Sequence, residues 1–138
     1  MHETPAERDA VFLIVDDEPD ICWSLERVIS KAGFRAAVAE TGLGALELVT
    51  RSSFELAFVD AKLPDIEGIE LARQFQSIRP NLRIVLISGY FYEDDHQVQR
   101  WIREGLICGF IGKPFSLEQI RNLVRTARQY GVPPTTAA

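Results

Sequence analysis

Apolar residues gather in five short runs, at 11–15, 35–39, 54–59, 83–87 and 108–111, most of them rich in Val, Ile and Phe. Each run reads as a strand. The first, third and fourth are nearly continuous in apolar character, which fits strands covered on both faces of a parallel sheet; the second alternates, as an edge strand does. Between the runs the apolar period lengthens to that of a helix. Ile21, Leu25, Val28, Ile29 and Ala32 share one face, and Gly33 supplies the C-terminal stop. Leu71, Ala72, Phe75 and Ile78 repeat the pattern before Pro80, and Val98, Trp101 and Ile102 do so before Gly105. A last helix starts at Ser116, with Gln119 completing a capping box and Leu117, Ile120, Leu123, Val124 and Ala127 facing inward. The second helix, at 42–50, carries the weakest pattern because it includes Gly44. Five alternations of strand and helix imply βαβ units with right-handed crossovers, and hence an α/β doubly wound parallel sheet with helices on both faces.

Composition narrows the choice of function. At 138 residues and 46% hydrophobic, the chain supports one core. We expect an ordered domain at 11–130, an N-terminal extension at 1–10, and a C-terminal tail or linker start at 131–138. The net charge of -5 argues against direct binding to nucleic acid, which needs clustered cations. No apolar run is long enough to span a membrane, and residues 1–10 lack the apolar stretch of a secretory signal. Cys22 and Cys108 have neither metal-ligand spacing nor the density of a disulfide scaffold. They read as two buried reduced thiols in a cytoplasmic setting.

Ligands of doubly wound sheets bind beyond the carboxyl ends of the strands. There the sequence places Asp16 and Asp17 after the first strand, Asp60 after the third, Ser88 after the fourth, and Lys113 with Pro114 after the fifth. Singly, each has an ordinary structural explanation: a solvated turn, a loop hydroxyl, a surface charge, a helix-entry proline. Jointly they set acids, a hydroxyl and an ammonium on one edge of the sheet. Neighbouring carboxylates repel unless a cation is present, and hard oxygen ligands suit Mg²⁺. A carboxylate can also accept a phosphoryl group as an acyl phosphate, with Lys113 and Ser88 stabilising the product.

The segment Phe12-Leu13-Ile14-Val15-Asp16-Asp17-Glu18-Pro19 resembles the first strand and acidic pair of the response-regulator receiver family. Three further segments extend the likeness: the loop from Phe58 to Gly68, with Pro64 and Gly68 four and eight residues after Asp60; Leu86-Ile87-Ser88-Gly89-Tyr90; and Lys113-Pro114-Phe115. The resemblance covers nearly all of 11–129. It implies the flavodoxin-like strand order 2-1-3-4-5 and a two-component signalling switch that is an enzyme only in catalysing its own phosphorylation and dephosphorylation. It makes Asp60 the phosphoacceptor, and gives Mg²⁺ to Asp17, Asp60 and the Lys62 backbone carbonyl, with Asp16 acting through water. Ser88 and Lys113 contact the phosphoryl group, the bond before Pro114 is typically cis, and Phe110 takes the place of the switch aromatic. The implied partners are a histidine kinase or phosphotransfer protein and a downstream target or attached output domain. A homodimer through the face of the fourth helix, fifth strand and fifth helix is a further expectation.

Two features depart from the family pattern. The stretch from Ser88 to Lys113 is a few residues long for it, and Lys62 puts a cation where a neutral side chain is common. Among other classes, a haloacid-dehalogenase type of hydrolase carries an acid where Lys62 stands. A flavodoxin-type carrier needs a phosphate-cradling loop where the acids stand. A pseudo-receiver would lack the complete set of acids and lysine.

Overall fold

The computed structural model describes residues 10–91 and 94–130. The expected extension (apart from Ala10), the tail at 131–138, and Tyr92 and Glu93 lie outside the described residues. Among the described residues the elements alternate as β1 Phe12–Val15, α1 Pro19–Lys31, β2 Ala36–Ala39, α2 Gly42–Arg51, β3 Leu56–Asp60, α3 Gly68–Ile78, β4 Arg83–Ser88, α4 His96–Arg103, β5 Gly109–Gly112 and α5 Leu117–Tyr130. All strand pairs are parallel, in the order β2-β1-β3-β4-β5. The strand order therefore reverses between β1 and β3.

Side chains alternate across the sheet with a period of two. Leu13, Val15, Ala57, Val59, Ile84, Leu86 and Phe110 pack toward α2, α3 and α4. Phe12, Ile14, Leu56, Phe58, Val85, Ile87 and Ile111 pack toward α1 and α5. Strands β1 and β3 are buried throughout, whereas β2 at the edge exposes Val38.

The local signals act as their chemistry dictates. Gly33 and Gly105 adopt φ of +91° and +77°, the left-handed region that glycine enters without strain, and end α1 and α4. Ser116 Oγ accepts from Gln119 N while Gln119 Oε1 accepts from Ser116 N, which is the capping box. The Gly44 amide donates to the Thr41 hydroxyl, which caps α2.

Three apolar positions expected to face inward do not. Ala32 caps the end of α1 and is exposed, and Ile78 and Leu117 stand at helix termini with 40% and 46% of their surface open. These positions continue the apolar period past the sheet that would cover them. Cys22 is buried as expected, but Cys108, just before β5, is only half-buried.

Candidate functional site

The carboxyl ends of β1 and β3 flank the point where the strand order reverses, and the acids gather there. Asp16, fully buried, follows β1; exposed Asp17 comes next; and Asp60, 6% exposed, is the last residue of β3. Each contributes a carboxylate oxygen to a cluster whose atoms lie within 4.8 Å of one another. Lys113, just past β5, reaches Asp16, Asp60 and the neighbouring Glu18 from the far side. Its Nζ lies 2.6 Å from Glu18 Oε1, 3.1 Å from Asp16 Oδ2 and 3.4 Å from Asp60 Oδ1. Its amide donates to Ser88 O at 2.8 Å, so the end of β4 fixes its backbone; the Lys113–Pro114 bond that follows is cis.

The electrostatics follow from this crowding. Burial, and then the charge of Asp16, push the Asp60 carboxyl up to about 6, against the opposing pull of Lys113. Burial likewise raises Asp16, in spite of the Glu18 amide that donates to its Oδ1 at 2.9 Å. Burial alone would lower the Lys113 ammonium; the Glu18 hydrogen bond and the Asp16 and Asp60 charges outweigh it and hold the group above the ordinary lysine range. Asp16 Oδ2 has the ion pair with Lys113 but no well-aligned hydrogen bond. An under-satisfied buried carboxylate oxygen beside two further carboxylates is a donor set that a hard divalent cation completes.

The other residues singled out from sequence are placed as follows. Ser88 is buried at the end of β4, and its Oγ accepts from Tyr90 N at 2.8 Å and Phe91 N at 3.2 Å, tying down the loop that leaves the strand. Phe110 is 6% exposed, its ring packed in the core on the α2–α4 side of the sheet. Lys62 is exposed on the loop after β3, where its backbone pairs with that of Glu67 in an isolated antiparallel β-bridge, and its Nζ lies 5.5 Å from the centre of the Tyr90 ring. A cavity of about 480 Å³ opens over the cluster, lined by Asp17, Glu18, Asp60, Lys62, Gly89, Tyr90 and Lys113.

Sequence reasoning missed two participants. Glu18 belongs to the acidic run that marked Asp16 and Asp17, yet only the reach of the long Lys113 side chain from the end of β5 back toward β1 makes it a counter-ion of Lys113. Asp65 lies in the loop after Asp60, and its carboxylate accepts from Gly42 N at 2.8 Å and Leu43 N at 3.0 Å, capping α2 from a distance.

Comparison with known proteins agrees with this geometry. The model of the response regulator receiver domain matches residues 12–125. The chain is 34% identical over 113 residues to sporulation initiation phosphotransferase F of Bacillus subtilis, covering 82% of this chain and 89% of that one. It is 35% identical to the response regulator protein PilR of Pseudomonas aeruginosa, over 83% of this chain but only 25% of PilR. The chain thus spans nearly all of one relative and a quarter of the other. A CheY-like receiver domain from Methanospirillum hungatei superposes with a TM-score of 0.72 at 27% identity, covering 87% of this chain and 97% of that one. With its parallel sheet in the order 2-1-3-4-5 and its acidic pocket of Asp16, Asp17 and Asp60, the chain belongs to the response regulator receiver domain family.

Proposed function

We propose that this receiver domain takes a phosphoryl group from a phosphohistidine of a kinase or phosphotransfer protein onto Asp60, and signals through the face of α4, β5 and α5. The observation that carries the reading is the joint placement of Asp60 and Lys113: a carboxylate at the floor of an open cavity, with a committed ammonium 3.4 Å from its Oδ1.

In the transfer, an oxygen of Asp60 forms the new bond to phosphorus as the phosphorus–nitrogen bond breaks, and the imidazole leaves with the electron pair. Asp16, Asp17 and Asp60, with the Lys62 carbonyl, would hold Mg²⁺, which when bound neutralises the carboxylates and draws charge from the phosphoryl oxygens. Lys113, divided among three carboxylates in the resting site, gains a phosphoryl oxygen as a new partner.

Ser88 links the site to the surface. Its hydroxyl already accepts two loop amides, and it retains a proton to donate to the phosphoryl group. Drawing Ser88 toward the phosphate strains or carries the loop that runs into α4. Phe110 has no hydroxyl to hold it outside, and its buried ring supports a resting population that already resembles the signalling state. The same face serves a downstream protein, an attached output domain or a second copy of the chain. Incubation with a phosphohistidine-bearing protein tests the transfer: label should pass to this chain when Asp60 is present and stay on the donor when it is Asn.

A further inference from the structure

Asp65 lies outside the carboxylate cluster, exposed at the tip of the loop that joins β3 to α3, yet both of its carboxylate oxygens are engaged by α2. Oδ1 accepts from Gly42 N at 2.8 Å and Oδ2 from Leu43 N at 3.0 Å, so one side chain takes two of the free amides at the start of that helix. Beside this tie the helix sits directly on the loop: a methyl group at Gly42 would collide with Ile66 Cγ2. The loop behind the tip is closed on itself. Lys62 and Glu67 pair in the antiparallel bridge, Leu63 N donates to Ile66 O at 3.2 Å, and Gly68 N donates to Ala61 O at 2.8 Å. At its inner end the Lys62 amide donates to the Asp60 carboxylate. A hydrogen-bonded path thus runs from the acceptor through Lys62 and the closed loop to Asp65 and the first turn of α2.

We infer that Asp65 is a positioning residue for the acceptor site: by tying the loop tip to α2 it holds the Lys62 backbone in place against Asp60 and so favours Mg²⁺ binding. The inference rests on Asp60 being the acceptor within a metal-binding cluster. Lys62 bears on that cluster twice through its backbone, with its amide on the Asp60 carboxylate and its carbonyl among the groups that would hold Mg²⁺. Both are main-chain groups, so the path of the loop decides where they lie. Gly68 braces the loop at its base and Asp65 braces it at its tip. A ligand whose support is removed has to be ordered as the metal binds, which weakens affinity while the ligand set stays the same. Capping α2 is a separate task, and Thr41 already performs it locally, its hydroxyl accepting from Gly44 N at 3.0 Å. The Asp65 tie fastens the loop to a helix that has a cap of its own.

The test is the Mg²⁺ dissociation constant, read from amide NMR titrations of wild type, Asp65→Ala, Asp65→Asn and Thr41→Ala. Asp65→Ala should weaken Mg²⁺ binding about tenfold, the low end of what removing a group that orients a ligand costs. Asp65→Asn keeps one accepting oxygen and should fall between that variant and wild type. Thr41→Ala removes the local cap and should melt lower, but should bind Mg²⁺ as wild type does. In wild type the Gly42 and Leu43 amide signals should shift with the same midpoint as that of Lys62, and in Asp65→Ala they should no longer follow it. Labelling by acetyl phosphate should slow in Asp65→Ala at limiting Mg²⁺ and approach the wild-type rate at saturation. Equal Mg²⁺ affinity in wild type and Asp65→Ala, an equal loss in Thr41→Ala, or Gly42 and Leu43 signals that stay still in wild type would each overturn the role of Asp65 alone. A wild type that shows no Mg²⁺-dependent shift around Asp60, or takes no label there, would overturn the reading of the site and this role with it.

Discussion

The backbone of Gly68 lies directly against that of Asp60. A methyl group at Gly68 would sit 2.2 Å from the Asp60 carbonyl oxygen and 2.9 Å from Ala61 Cα, and the Gly68 amide donates to Ala61 O at 2.8 Å. The start of α3 thus braces the end of β3, and no side chain fits between them. Gly68→Ala should destabilise the protein by about 1–3 kcal/mol, as overpacking does, and slow the phosphorylation of Asp60 by displacing its backbone. Denaturant melts and labelling rates measure the two effects.

Removing the charge of Asp60 should stabilise the metal-free protein. Its carboxyl is raised from 3.8 to about 6, so the folded state holds the proton more tightly than the unfolded chain does. The sign follows: this group's contribution is most favourable below about pH 4 and is lost as pH rises to 6. Asp60→Asn should therefore melt higher than wild type at pH 7 in the presence of a chelator, with the difference shrinking toward pH 4. A lower melting temperature for the variant at pH 7 would mean that the ion pair with Lys113 outweighs burial and repulsion.

Mg²⁺ should raise the melting temperature by binding the native carboxylate cluster in preference to the unfolded chain. At ten times its dissociation constant the gain is about 1.4 kcal/mol. Asp17→Ala should remove most of that gain, since Asp17 is one of the three clustered acids and the exposed one. An equal rise in the variant would put the metal elsewhere.

Asp65 should act in the opposite pH direction to Asp60. The Gly42 and Leu43 amides hold its carboxyl below the usual carboxylate range. Its contribution is present above that range and lost as pH falls through the lowered value. Asp65→Ala should melt below wild type at pH 7, and the difference should close in acid.

Much of this molecule was legible in the sequence, and the exceptions share a cause. Continuous apolar runs identified β1, β3 and β4 because both faces of those strands are covered, and the alternating run at 35–39 marked β2 as an edge. The helix-end residues Ala32, Ile78 and Leu117 were misjudged, because periodicity records which face of a helix is apolar but not where the sheet beneath it stops. Asp16, Asp17, Asp60, Ser88 and Lys113 could be placed together from strand ends alone. The contacts of Glu18 with Lys113, of Asp65 with Gly42, and of Lys62 with Tyr90 join segments between 23 and 95 residues apart through loop paths that no local pattern encodes. They emerge only once the strand order has brought those loops to one edge.

The central claim is that Asp60 accepts the phosphoryl group, and the most direct measurement maps the modified residue. Wild type and Asp60→Asn are incubated with Mg²⁺ and acetyl phosphate, and intact-mass and peptide spectra are recorded before the acyl phosphate decays. Wild type should gain a single phosphoryl group, on the peptide that contains Asp60, and Asp60→Asn should gain none. Undiminished phosphorylation of the variant, or a label mapped to another peptide, would contradict the account.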